Sequence, residues 1–263
     1  MTASGPGRRD WQPCWRQLVE SMFRVHTAGG EEQLLENLSR PGPARIVGFV
    51  NAHAMNSVVH RPDFFRSLES IDLLLRDGIG VAILMRLLKQ PAGLNLNGTD
   101  LIPKLLRRFA GAPIALFGTE EPFLERAREA VESRIAPGSR CVTAHGFHED
   151  AVYLALVAEQ RPALIVLGMG MPRQEGVALA LRDSLEHPCL IVCGGAIIDF
   201  LGGRHTRAPG WMRRTGLEWA FRLAREPRRL FSRYVVGNPV FLLRAMVLAA
   251  SAPARGVSTR PLQ

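Results

Sequence analysis

The sequence is poor in cysteine, in metal-binding spacings and in long apolar runs. Its 263 residues hold four cysteines, Cys14, Cys141, Cys189 and Cys193, with no CxxC pair among them. That argues against a disulfide framework or a zinc ribbon. Cys189 and Cys193 lie in or beside an apolar run and read as buried thiols of a reducing compartment. The start, MTASGPGRRDWQPCW, has no apolar core, so no signal peptide is expected. No stretch of about 18 uninterrupted apolar residues occurs, which predicts no transmembrane helix. A cytoplasmic protein is the expectation. The seven histidines show neither HxxxH nor HExxH spacing, and there is no Asp-x-Asp pair to clamp a divalent ion on a diphosphate. No metal and no cofactor are expected.

Positive charge, in contrast, is abundant and concentrated. The net charge is +9, which implies anionic partners without naming them. The stretch Arg207 to Tyr234 carries eight arginines and two glutamates, interleaved with Trp211, Trp219, Phe221 and Phe231. Nucleic acid, an anionic membrane surface or a diphosphate would each suit it. No zinc-finger or RNA-recognition signature accompanies the charge, which argues against nucleic acid. Arg244 interrupts the apolar run VFLLRAMVLAA, a pattern suited to a helix lying on a bilayer.

Upstream, short apolar runs alternate with helical patterns. ARIVGFVNAH, SIDLLLRDG, APIALFGTE, SRCVTAHGF, ALIVLGMG and CLIVCGGA read as strands, and residues 13–39 read as helical. Alternation of this kind predicts an α/β fold with a mostly parallel sheet covered on both faces. Each strand ends in glycine and polar residues, where ligands sit in open α/β sheets. The ends nominate Asn51 and His53, Asp77 and Gly78, Gly118 and Thr119, His145, Gly168 and Gly170, and Gly194 and Gly195. Asp77 could act as a general base, hold a sugar hydroxyl, or be an ordinary Asp–Gly turn. LGMGMPRQE could bring backbone and helix N-terminus to a phosphate, with Arg173 and Gln174 as donors, or be a plain tight turn. With no acidic clamp, a bound diphosphate would have to be neutralised by arginines and backbone amides. Beyond about residue 204 the alternation stops. The expected division is a core at 13–203, a helical, basic appendage at 204–250, and loose tails at 1–12 and 251–263.

The blocks NAH, NGTDLIPKLL, HGF, LGMGMPRQE, CGGAIIDFLGG and RAPGWMRRTGLEWAFRLAREPRRLFSRY occur in that order. Together they resemble the WecG/TagA/CpsF glycosyltransferases over roughly residues 45–235. The resemblance implies a Rossmann-like core and an inverting transfer without a tightly bound metal. A sugar from a UDP-sugar would pass to an undecaprenyl-diphosphate-linked sugar, at the cytoplasmic face of the inner membrane. It implies a membrane-contacting appendage and bacterial surface polysaccharide synthesis. Asp77 takes the place of the catalytic base, and Gln174 that of a pocket residue. Arg222, Arg228, Arg229 and Arg233 take that of arginines stabilising the departing diphosphate. Asn51, His53, Asn97, Asp100, Gly168, Gly170, Arg173 and Glu175 complete the expected substrate-binding set. The sequence departs from many members at Phe49, where they carry Thr, and at Asn95, where they carry Arg. The NLNGTD form is similar to the branch adding glucose in xanthan-type exopolysaccharide assembly. The expected donor is therefore UDP-glucose with a β-1,4 linkage, and UDP-N-acetylmannosamine or its uronate the alternative. An open surface on the core leaves room for a homo-oligomer.

Overall fold

A computed structural model describes residues 11–251. Its centre is a seven-stranded, all-parallel sheet. The strands are β1 (Met22–Phe23), β2 (Arg45–Val50), β3 (Leu73–Arg76), β4 (Pro113–Gly118), β5 (Arg140–Ala144), β6 (Leu164–Gly168) and β7 (Leu190–Cys193). Their spatial order is β1-β3-β2-β7-β6-β4-β5.

Successive side chains on a strand point to opposite faces, and here both faces are buried. Ile46 and Val50, Ala115 and Phe117, Ile165 and Leu167, and Ile191 and Cys193 enter one core cluster. Their neighbours Val47 and Phe49, Ile114 and Leu116, Leu164 and Val166, and Leu190 and Val192 enter the other. Two-sided burial is what makes the strands near-continuous apolar runs. The first cluster is closed by helices including Trp11–Ser21, Ala52–Val58, Ile79–Leu87 and Arg173–Ser184, the second by Ala28–Ser39, Gly98–Arg108 and Phe123–Ala130.

The six expected strands are all present, inside a fold of the expected class. The reading of 13–39 as helical is corrected: β1 and a loop divide it, and a second helix begins at Ala28. Thr27 caps that helix, its Oγ1 accepting from Gly30 N at 3.1 Å. The tails expected at 1–12 and 251–263 lie outside the described residues, except for three. Trp11 and Gln12 open the first helix, and Ser251 follows the last.

Adjacent strands send the chain to opposite faces at several places along the sheet. From β4 it enters Phe123–Ala130 in the second cluster, and from neighbouring β6 it enters Arg173–Ser184 in the first. The neighbours β2 and β7 diverge in the same way, into Ala52–Val58 and Ile197–Leu201. Such divergence opens a crevice at the carboxyl ends of the strands. Glycine lets β4 and β6 close beneath it: a Cβ on Gly118 would stand 2.5 Å from the Gly168 backbone.

The arginine-rich segment forms helices Gly210–Arg214 and Glu218–Arg225. A longer continuous helix follows from Pro227 to Ala250, with a π-helical turn at Ser232–Val236. Among the described residues this is the one helix long and apolar enough to cross a membrane, at 24 residues. Arginines punctuate it, so it contains no uninterrupted apolar run of about 18 residues. Phe241, Ala245 and Leu248 on it are nevertheless part of the sheet's core. Trp15 stacks on Phe241 with centroids 5.2 Å apart. Asn56 Nδ2 donates to Gly237 O at 2.8 Å, and Arg244 Nη1 to Asn56 Oδ1 at 2.9 Å. One face of the helix is therefore seated on the domain, while Leu243, Met246 and Val247 lie exposed.

Candidate active site

Asp77 follows β3 directly, and its backbone N–H donates to Val50 O at the end of β2. Asn51 begins the helix after β2, its Oδ1 accepting from Ala54 N at 3.0 Å. The same side chain sends Nδ2 to Asp77 Oδ2 at 3.3 Å. A helix cap and a carboxylate orienter are thus one residue.

The Asp77–Gly78 turn is held from behind. Arg76 is buried at 7% exposure and donates to Ala92 O, Gly78 O and Gly93 O at 2.9–3.0 Å. Asn95 Oδ1 accepts from Gly78 N at 2.8 Å. Gly78 has φ +84°, a region that glycine enters without a Cβ penalty. Asn95 thus braces the turn carrying Asp77. Phe49 lies in the second core cluster, its ring against Gly98.

The arginine-rich helices close over this point. Burial pushes the Arg233 guanidinium below its usual range, partly offset by Tyr234 and Asp77, with Arg222 lowering it further. Its Nε is buried with no hydrogen-bond partner. His53 is pushed down to about 4, first by burial and then by the charges of Arg233 and Arg61. It is therefore a neutral imidazole at neutral pH. Arg222 lies over the Phe200 ring at 5.5 Å. A cleft of about 220 Å³ beside it is lined by residues including Phe200, Arg204, His205, Phe221, Arg222 and Arg225. The four arginines expected to act together divide. Arg233 is coupled to Asp77, and Arg222 and Arg229 both act on the Arg233 guanidinium. Arg229 is exposed and paired with Glu226 at 2.6 Å. Arg228 is exposed and makes no ion pair among the described residues.

Several nominated residues serve the crevice walls. Gln174 is 1% exposed, and its Oε1 accepts from Gly170 N at 3.2 Å and Gly195 N at 2.9 Å. It ties the loop after β6 to the loop after β7. Its Nε2 donates to Glu175 Oε1 at 2.8 Å, so both ends of the amide are engaged inside the protein. Glu175 is fully buried, and its Oε2 has no partner. Burial pushes its carboxyl up to about 7, against the opposing hydrogen bond from Gln174. Arg173 holds the 145–150 loop, donating to Gly146 O at 3.2 Å and to His148 O. Asn97 caps Gly98–Arg108, Oδ1 accepting from Asp100 N at 3.0 Å and Nδ2 donating to Asp100 Oδ2 at 2.8 Å. Gly168 ends β6, and Gly170 lies in the loop that Gln174 holds.

Two residues that the sequence did not nominate complete the arrangement. Arg207 Nη1 donates to Asp100 Oδ1 at 2.8 Å, and Glu218 Oε2 stands 3.9 Å from Arg207 Nη2. Glu218 is one of only two acids among the eight arginines of its stretch, a signal that could have marked it. Burial pushes its carboxyl up. Arg207 and Arg222 oppose the shift, while Asp77 and Asp100 add to it. Carboxylates and guanidiniums thus meet where the arginine-rich helices cover the strand ends.

Comparison with known proteins bears on this geometry. Residues 21–255 match the model of the "Glycosyl transferase WecG/TagA/CpsF family". A Bacillus subtilis (strain 168) protein is 27% identical over 187 residues, 70% of this chain and 73% of its own length. It is named N-acetylglucosaminyldiphosphoundecaprenol N-acetyl-beta-D-mannosaminyltransferase. A Staphylococcus aureus (strain MW2) protein of the same name is 24% identical over 184 residues, 68% of this chain and 72% of its own. With the match running almost from end to end of the described fold, the chain belongs to the WecG/TagA/CpsF family of glycosyltransferases and is a nucleotide-sugar-dependent enzyme.

Proposed function

We propose that this enzyme transfers an N-acetylmannosaminyl-type sugar from a UDP-sugar, with inversion, to a sugar carried on undecaprenyl diphosphate. The observation that carries the reading is the Asp77 carboxylate, oriented by Asn51 and facing the electrostatic reach of Arg233. Asp77 takes the proton of the acceptor hydroxyl as its oxygen attacks the anomeric carbon. The bond from that carbon to the β-phosphate oxygen breaks with the new one forming, and UDP departs. Arg222 and Arg233 stabilise the charge that gathers on the diphosphate, in a site fixed before reaction. His53, neutral beside Arg233, adds no competing proton.

The donor class follows the names of the relatives, which specify N-acetylmannosaminyl transfer. The glucose donor expected from Phe49 and Asn95 gives way to this alternative. Phe49 is packed in the core and Asn95 is spent on the Gly78 turn, so neither departure argues for a smaller sugar. The exposed face of the last helix, with Val236, Leu243 and Met246, suits docking on a bilayer surface where the lipid acceptor resides.

The test is UDP release with N-acetylglucosaminyl-diphosphoundecaprenol as acceptor. UDP-N-acetylmannosamine, its uronate, UDP-glucose and UDP-glucuronate are offered separately, each with and without EDTA. Release with UDP-N-acetylmannosamine alone is expected. Release with UDP-glucose alone would restore the glucosyl reading, and no release with any donor would sink the proposal.

A further inference from the structure

Arg207 lies in the connection between Ile197–Leu201 and Gly210–Arg214. One side of its guanidinium is committed to the scaffold, with Nη1 donating to Thr99 O at 3.0 Å and Asp100 Oδ1 at 2.8 Å. The opposite edge, Nε and Nη2, is buried without a hydrogen-bond partner. The nearest paired acid on that side is Glu218, at 3.9 Å from Nη2, beyond hydrogen-bond range. A buried cationic edge left open is costly unless something fills it.

Its surroundings say what kind of group that is. Arg207 lies over the Phe200 ring at 6.0 Å, and Arg222 over the same ring at 5.5 Å. Two guanidiniums on one aromatic ring define a cationic notch beside the Asp77 crevice. Asp100 is itself fixed by Asn97 at 2.8 Å and Arg213 at 3.2 Å, so Arg207 cannot swing toward it to use its free edge. The Nε–Nη2 edge of a guanidinium matches two oxygens of a phosphate.

We propose that Arg207 is a diphosphate-binding residue, held by Asp100 so that its Nε–Nη2 edge faces the ligand, and that Glu218 stands beside that edge until the diphosphate arrives. The inference rests on the transferase reading and adds a contact that reading does not use. Two substrates carry a diphosphate, the UDP-sugar and the lipid-linked acceptor, and the chemistry of the edge is the same for both.

The experiment titrates UDP calorimetrically and measures the KM of the lipid-linked acceptor. It compares the parent protein with Arg207→Ala, Arg207→Lys, Asp100→Asn and the Arg207→Ala/Asp100→Asn double variant. Removing the edge is expected to weaken one of the two diphosphates about ten- to a hundredfold. A weaker UDP Kd assigns the edge to the donor, and a raised acceptor KM with intact UDP binding assigns it to the acceptor. Lysine keeps the charge but not the edge, so Arg207→Lys should recover little. Asp100→Asn should show part of the loss and add nothing in the Arg207→Ala background. If Arg207→Ala does not fold, Arg207→Lys and Asp100→Asn carry the same comparison. UDP Kd and acceptor KM both at parental values in a folded Arg207 variant overturn the role of Arg207 alone. A parent that binds neither ligand overturns the transferase reading, and this inference with it.

Discussion

The Asn51 side-chain amide reaches the Asp77 carboxylate at 3.3 Å, across the ends of two neighbouring parallel strands. Asn51 also caps the helix that follows it, so the orientation of the carboxylate is built into the start of a helix. Asp77→Asn should therefore fold normally and lose about 10²- to 10⁴-fold in kcat, the usual contribution of a general base. Asn51→Ala should lose about 1 kcal/mol of stability with its cap and a smaller part of the activity. UDP-release kinetics beside thermal melts check both. Parental turnover in Asp77→Asn removes Asp77 from the base role.

His53 gives a pH signature in stability. Its ring titrates near 4 in the folded protein, against 6.5 as the ordinary value. Between those values the unfolded chain holds the extra proton, so stability rises with pH. The contribution is complete above about pH 6.5 and is lost as pH falls toward 4. His53→Gln should flatten the melting temperature against pH over that window. An unchanged slope would show that His53 is not held neutral.

Glu175 has the opposite sign. Its carboxyl titrates near 7 when folded and 4.5 ordinarily, so the folded state holds the extra proton between those values. Stability falls as pH rises from 4.5 to 7, and the full penalty stands above 7. Glu175→Gln keeps an acceptor for Gln174 and removes the buried charge. A gain of up to about 3 kcal/mol at pH 8, with none at pH 4, is expected from urea denaturation at the two pH values.

Phe241 and Leu243 are near neighbours on one helix with opposite fates. Phe241 is 1% exposed and Leu243 60%. Phe241→Ala should cost about 3–5 kcal/mol through its lost packing on Trp15. Leu243→Asp should change stability by no more than about 0.5 kcal/mol, yet weaken sedimentation with anionic vesicles. Vesicle binding untouched by Leu243→Asp and Met246→Asp together would argue against the bilayer reading of that face.

Six strands were legible because a strand buried on both faces must be apolar at almost every position, and a run such as LIVLG has few other homes. β1 was not legible, because two residues carry no periodicity; Met22 and Phe23 become a strand only by pairing with Leu74 and Leu75. Asp77 was visible as a carboxylate at a strand end, but that position also suits a plain turn, and the sequence held both readings. Gln174 and Asn97 look like ligand donors in a motif. Only the folded chain engages them with Gly170, Gly195 and Asp100. The family, the class of fold and the cationic stretch were thus determined by the sequence itself, since motif order, burial pattern and charge density are properties of the chain. Which arginines meet Asp77, and which acid holds Arg207, was decided by tertiary structure alone. Charges 100 or more residues apart interact only once helices cover the strand ends, and no local pattern encodes that distance.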